Sequence, residues 1–195
     1  MKNRKFLSLL LLIAAAWGCK KEKEVLPSFS QPAYSATSTD SASANQQTLL
    51  PNGLYSIKAM AHPTLKLVLD VPDASTQDGI FIQQFKYHGG ANQLWVVTNL
   101  RNGYYSIRNF NSGKSLDVPG GSLEPKVKIQ QFTYHGGPNQ QWRIENTGSG
   151  GIKRIYNRNS GLSLDVPDGS GDPGVVIQQF NPNGGTNQTW RFIRY

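Results

Sequence analysis

The sequence predicts an all-β domain made of three copies of a four-stranded unit, each copy about 47 residues long. Three observations carry this expectation. The segment LDVPDASTQDGIFIQQFKYHGGANQLW (69–95) returns as LDVPGGSLEPKVKIQQFTYHGGPNQQW (116–142) and as LDVPDGSGDPGVVIQQFNPNGGTNQTW (164–190). Each copy alternates short apolar–polar runs with Gly, Pro, Asn and Asp, the pattern of strands joined by turns. No useful stretch carries the apolar period of a helix. Asp70, Asp117 and Asp165 lie 47 and 48 residues apart, as do Trp95, Trp142 and Trp190. A repeat of this length is one supersecondary unit whose core is shared with its neighbours. Any site built from repeated residues therefore occurs three times.

In order, the first copy offers strands at 54–59, 65–71, 80–85 and 94–98. The second offers 104–109, 115–118, 127–132 and 141–145, and the third 152–157, 162–166, 175–180 and 189–193. Asn52-Gly53, Asn102-Gly103 and Gly150-Gly151 supply the turn before each copy's first strand. Twelve strands in one soluble domain cannot leave many open edges, so a closed, barrel-like arrangement is expected.

The remainder of the chain divides at residue 49. Lys2, Arg4 and Lys5 precede an apolar run, Phe6 to Ala16, of eleven residues, too short to span a bilayer as a mature helix. Residues 1–18 read as a signal peptide. Ala16-Trp17-Gly18-Cys19 resembles a bacterial lipobox, which implies lipidation of Cys19 and firm anchoring to a membrane. The alternative is an ordinary signal peptide with an incidental cysteine. Cys19 is the only cysteine, so the domain holds no disulfide and no Cys-based zinc site. The run Lys20-Lys21-Glu22-Lys23-Glu24 resembles the charged export signals of some surface lipoproteins, or is a plain solvated tether. Residues 19–49, rich in Ser, Thr, Ala and Gln, read as a flexible stalk. The expected location is the bacterial cell envelope, as an outer-membrane lipoprotein, with surface exposure left open. Residues 50–195 form one domain with 14 Lys/Arg against 9 Asp/Glu, scattered and without a basic stripe. Nucleic acid is not an expected partner.

Side chains two apart on a strand share a face. The simplest pattern buries Leu69, Leu116 and Leu164 and turns Asp70, Asp117 and Asp165 the other way. It likewise buries the face of Ile82 and Gln84, leaving Gln83 and Phe85 toward a concavity, as for Gln130 with Phe132 and Gln178 with Phe180. Gln93 shares a face with Trp95 and is expected inside, where its amide satisfies backbone groups. Asn92, Asn139 and Asn187 fall on the other face beside a Gly-Gly loop and are the better ligand contacts. Leu94, Gln141 and Thr189 differ between copies, as exposed positions do.

Gln93-Leu94-Trp95, Gln140-Gln141-Trp142 and Gln188-Thr189-Trp190, in register with three Asp-Val-Pro and three Ile-Gln-Gln-Phe segments, resemble the repeats of ricin B-chain type lectins. The resemblance covers residues 50–195 and implies a β-trefoil fold and carbohydrate as the partner. It also implies the sugar-binding sets Asp70, Gln83, Phe85 and Asn92; Asp117, Gln130, Phe132 and Asn139; and Asp165, Gln178, Phe180 and Asn187. Many members carry a disulfide where this chain has Val68, Ser115 and Ser163 against Tyr87, Tyr134 and Pro182, so packing replaces the staple. The chemistry suits a pyranose. An ionised Asp accepts two hydroxyl protons, an amide both donates and accepts, and an aromatic ring covers the C–H face. His88 and His135 are candidate rim contacts, with Asn183 in their place in copy three. The bland alternative is that Asp-Val-Pro only orders a turn and the Phe is core.

Two other function classes are weaker. Glycoside hydrolysis needs paired carboxylates in different environments. Here the repeated Asp has no repeated partner, and Glu124 and Glu145 do not recur. No nucleophile elbow, phosphate-cradling loop, His pair at metal spacing or calcium loop is present, so neither catalysis nor a metal nor a cofactor is expected. A protein-interaction or protease-inhibitor-like trefoil with degenerate sugar sites would not need the polar set in every copy. Oligomeric state and sugar identity stay open.

Overall fold

The computed structural model describes residues 49–195, so the expectations for the signal peptide, for Cys19 and for the stalk up to residue 48 lie outside the described residues. The first copy contributes β1 (Gly53–Ala59), β2 (Leu67–Asp70), β3 (Ile80–Phe81), β4 (Gln83–Lys86) and β5 (Trp95–Asn99). The second contributes β6 (Tyr105–Asn109), β7 (Ser115–Asp117), β8 (Gln130–Phe132) and β9 (Trp142–Asn146). The third contributes β10 (Ile152–Asn157), β11 (Ser163–Asp165), β12 (Gln178–Phe180) and β13 (Trp190–Arg194).

The first and last strands of each copy close a six-stranded barrel. β1 pairs with β5, β5 with β6, β6 with β9, β9 with β10, β10 with β13, and β13 back with β1. Closure removes the unpaired edges that twelve free strands would have exposed. The hairpins β2/β4, β7/β8 and β11/β12 complete the β-trefoil.

The hairpins are joined to each other about the pseudo-threefold axis by a cycle of backbone bonds. Ile82 N–H donates to the Ile129 carbonyl (2.9 Å), Ile129 to Ile177 (2.9 Å) and Ile177 to Ile82 (2.8 Å). This cycle accounts for a departure from the expected strands. The single strand expected over 80–85 breaks at Ile82 into β3 and β4, because the chain leaves one neighbour and takes up another there. In the other two copies the same stretch is reduced to isolated bridges, Lys128 with Gln178 and Val176 with Gln83.

The core repeats with the sequence. Trp95, Trp142 and Trp190, Leu69, Leu116 and Leu164, and Ile82, Ile129 and Ile177 are all fully buried. Each indole N–H donates to the carbonyl of the Leu on its own copy's second strand, at 3.0–3.1 Å. The large apolar body is thus buried without leaving its one donor unpaired.

Gln84, Gln131 and Gln179 are also fully buried. Each donates both amide protons into the preceding copy's loop, cyclically: Gln84 to Ser170 and Asp172, Gln131 to Ser75 and Gln77, Gln179 to Ser122 and Glu124. These bonds tie each hairpin to the preceding copy's loop.

Leu94, Gln141 and Thr189, expected to be exposed, are buried. Their variability has a local cause: Leu94 is apolar, and the two polar residues are satisfied differently. Gln141 donates to the Gly136 carbonyl and accepts from Arg158, while the Thr189 hydroxyl donates to the Thr186 carbonyl.

Candidate functional site

After β2, β7 and β11 the chain turns sharply through Val-Pro into a single 3-10 turn: Pro72–Ala74, Pro119–Gly121 and Pro167–Gly169. Proline fixes the first φ of that turn, and the middle residues Asp73, Gly120 and Asp168 take a left-handed conformation. The turn forms one wall of a notch whose floor is the preceding Asp. A second 3-10 turn, at Ala91–Gln93, Pro138–Gln140 and Thr186–Gln188, carries the Asn of each copy to the same floor.

The structure brings together Asp, Gln, Asn and Phe of each copy. Gln83 Nε2 donates to Asp70 Oδ1 at 2.8 Å, and Asn92 Nδ2 donates to Asp70 Oδ2 at 2.9 Å. In copy two Gln130 and Asn139 make the same bonds to Asp117, both at 2.7 Å. In copy three Gln178 and Asn187 do so to Asp165, both at 2.7 Å, joined by Gln188 Nε2 at 3.1 Å. The three aspartates are only 1–2% exposed. They point away from the barrel interior, which their Leu neighbours fill, and Asp117 lines an open cleft of about 420 Å³ with Gly120, Gly121, Gln130, Phe132, His135 and Asn139.

Here the geometry differs from the sequence expectation. Each Asn also donates to the backbone carbonyl after its Asp, so its NH2 group is used inside the protein, and its Oδ1 lies against the second glycine of the loop. Asn92 is itself buried. A carboxylate this deep requires donors, and the two amides supply them. The carboxylate has about four acceptor directions, so in copies one and two each oxygen keeps one free for a donor arriving through the notch.

Burial pushes the carboxyls of Asp117 and Asp165 above their ordinary value, and the hydrogen bonds from Gln130 and Gln178 hold back part of that rise. Desolvation disfavours the charge, while donors aimed at the carboxylate favour it.

Phe85 and Phe132 stand at the rim, 37% and 38% exposed, and Phe180 is partly buried. Gln93, Gln140 and Gln188 are fully buried and hold the Gly-Gly loop from below, as expected. Each accepts from the backbone N–H of His88, His135 or Asn183 and donates to the carbonyl of Lys86, Thr133 or Asn181, ahead of its own 3-10 turn. Gly90 N–H donates to His88 Nδ1, which leaves the proton on Nε2, 3.7 Å from Asp70 Oδ2. His135 is held in the same way by Gly137, while Asn183 Oδ1 accepts from Gly185. The second glycine of each loop has no room for a side chain. A Cβ on Gly137 would stand 2.5 Å from His135 Cε1 and 2.6 Å from Asn139 Oδ1.

Sequence reasoning missed the residues that clamp the notch wall from the next copy. Asn111 Nδ2 donates to the Ala74 carbonyl, Asn159 Nδ2 to Gly121 and, across the closure, His62 Nε2 to Gly169. The signal was present in copies two and three, where Asn109-Phe110-Asn111-Ser112 and Asn157-Arg158-Asn159-Ser160 correspond. Among the described residues, no group of three or more His, Cys, Asp or Glu gathers where a metal ion could sit.

Comparison with known proteins agrees with this geometry. A clotting factor G alpha subunit from Tachypleus tridentatus is 48% identical over 42 residues, a match that spans 22% of this chain and 6% of that protein. The designed threefold-symmetric protein ThreeFoil is 38% identical, with a TM-score of 0.70 over 74% of this chain and 100% of that one. The exo-β-1,3-galactanase of Clostridium thermocellum is 34% identical, with a TM-score of 0.69 over 73% of this chain and 30% of the enzyme. A ricin B-like lectin of Macrolepiota procera, solved with lactose, shares the fold at 22% identity, with a TM-score of 0.64 over 76% of this chain and 100% of the lectin. The family model described as ricin-type beta-trefoil lectin domain-like matches residues 44–132, 91–180 and 138–195, and the chain belongs to that family.

Proposed function

We propose that this protein is a carbohydrate-binding module that captures polysaccharide or glycan without altering it, with up to three sugar sites, held to a bacterial outer membrane through a lipidated Cys19. One observation carries the sugar-binding part. The same carboxylate, steadied by two amide donors and opening beside a phenylalanine, is present in all three copies. A buried acceptor braced in this way is suited to adjacent hydroxyls of a pyranose, with the ring face laid on the aromatic edge. The family's lectin character supports the reading, as does the likeness to part of a galactanase. A second carboxylate does not recur with the repeated acid: the wall position held by Asp73 and Asp168 in copies one and three is Gly120 in copy two, so the shared arrangement is suited to holding rather than cleaving.

A single shallow site of this kind binds with a dissociation constant near 1 mM, about 4 kcal/mol. Three sites on one barrel, and many copies on one membrane, raise the apparent affinity for a polymer by orders of magnitude. The test is a glycan array at high protein density, with competition by free monosaccharide. Binding is expected, and the combined Asp70→Asn, Asp117→Asn and Asp165→Asn protein is expected to lose it. An array that stays blank, or a triple variant that binds like the parent, would sink the reading. The anchor is tested separately, by acyl-chain labelling of the parent and of Cys19→Ser.

A further inference from the structure

Each notch is finished by the copy next to it. The strand pairing sets Val176 opposite Gln83, Phe81 opposite Gln130, and Lys128 opposite Gln178. Directly opposed residues on paired strands share a face, so each of these side chains continues the row that begins at the Asp. The row is Asp70–Gln83–Val176 in copy one, Asp117–Gln130–Phe81 in copy two and Asp165–Gln178–Lys128 in copy three. The borders therefore differ although the floors are alike: aliphatic, aromatic and cationic.

A second difference falls on the same border. Gly174 and Gly79 approach the Oε1 of Gln83 and Gln130, such that a Cβ on either would lie 3.9–4.0 Å from it. Both are left-handed, with φ of +87° and +80°. The corresponding residue beside Gln178 is Lys126, which keeps the left-handed backbone at φ +66°. Equivalence is fixed by the backbone: Gly174, Gly79 and Lys126 N–H groups donate to the carbonyls of Gln84, Gln131 and Gln179 at 2.8–2.9 Å. A lysine in a conformation that glycine fills in the other two copies is a strained choice, and such outliers gather at functional positions. Among the described residues, neither Lys126 nor Lys128 has an ion-pair partner, and both are exposed. The Lys128 ammonium rests 5.4 Å from the Phe81 ring centroid, a weak contact that a carboxylate can replace. Two further acidic groups border this notch, Glu124 on the lysine-bearing segment and Asp168 on the opposite wall, and among the described residues neither forms an ion pair with Lys126 or Lys128. The segments equivalent to 124–128, residues 172–176 and 77–81, each carry an Asp and no lysine of their own, and Asp78 is already paired with Lys114 at 2.8 Å.

We infer that the third notch, built on Asp165, takes acidic saccharides, with Lys126 and Lys128 of the second copy receiving a carboxylate on the bound sugar or its neighbour. This rests on the sugar-binding reading and names the ligand class of one of its sites. The experiment compares trigalacturonic acid with its fully methyl-esterified form on the full chain, by calorimetry at low salt. In the Asp70→Asn/Asp117→Asn protein, which leaves only the third notch, the acid is expected to bind about fivefold more tightly than the ester, the size two exposed ion pairs can give. That preference should shrink with added salt. Lys126→Gly with Lys128→Val, the residues that Gly174 and Val176 supply at the border of the first notch, should bring the ratio near one, both there and in the otherwise intact protein. Equal binding of acid and ester before the lysines are changed, or an unchanged ratio afterwards, would overturn the inference and leave the sugar-binding reading standing. Absence of any glycan binding by the parent overturns both.

Discussion

Asn92 Nδ2 donates to Asp70 Oδ2 and to the Val71 carbonyl, each at 2.9 Å, so one amide holds both the carboxylate and the backbone that presents it. Asn92→Ala removes both bonds from a buried site. The acceptors left behind make the cost about 1–3 kcal/mol. We expect the urea midpoint to fall with an unchanged slope and the first copy's sugar binding to vanish. Asn92→Asp should be worse than Ala, since it sets a second carboxylate against the first. A stable Asn92→Ala protein with full copy-one binding would contradict this role.

Stability and binding should move in opposite directions with pH. Burial raises the Asp117 and Asp165 carboxyls above the ordinary value of 3.8. The folded state therefore takes up these protons more readily than the unfolded chain. Their contribution to stability is complete below the unfolded value and is lost as pH rises through the folded one. Sugar capture needs the ionised form, so it fails as pH falls through that same raised value. Melting curves and binding isotherms collected from pH 7 downward should diverge in this window. Asp117→Asn and Asp165→Asn together should flatten that part of the melting profile.

Gly137 is a test of shape rather than charge. A Cβ there meets His135 and Asn139 at 2.5–2.6 Å, and both line the second cleft. Gly137→Ala should displace them and cut copy-two affinity at least about tenfold, the loss of one well-placed contact. Gly103→Ala is the contrast. Its Cβ meets nothing within 4 Å, so any cost there comes from its positive φ and leaves the cleft intact. Isotope-edited titration of the His135 ring would read the difference directly.

The barrel and the notch floor were legible because they depend on local rules. Alternation placed Leu116 inside and Asp117 outside, and a buried Gln140 beside Trp142 followed from the same count. What escaped was whatever depends on the neighbouring copy. The break at Ile82 comes from a three-way backbone cycle that no single repeat contains. Leu94, Gln141 and Thr189 looked exposed because they vary, yet all are buried: Leu94 is apolar, and Gln141 and Thr189 are satisfied by different local bonds. The amides of Gln130 and Asn139 looked free for a ligand because the sequence does not show how deep Asp117 lies. The 3-10 turns, each three residues long, are too short to carry a helical period.

The bonds between copies set the rigidity of the notch border. Gln131 is fully buried, donates to the Ser75 and Gln77 carbonyls and accepts from the Ser112 hydroxyl. Gln131→Met keeps the volume and leaves the Ser75 and Gln77 carbonyls without partners, while the Ser112 hydroxyl keeps the Lys114 N–H, at a cost of about 3 kcal/mol if water reaches some of them. The segment freed is 75–79, which precedes Phe81 on the border of copy two. Amide exchange there should accelerate well beyond that of the corresponding stretch 122–126, which Gln179 still holds. Because the floor of copy two is fixed by Gln130 and Asn139 instead, its affinity for a monosaccharide should change less than its affinity for a longer chain that reaches Phe81. Equal losses for both ligands would place Gln131 in the global fold alone and remove its link to the site.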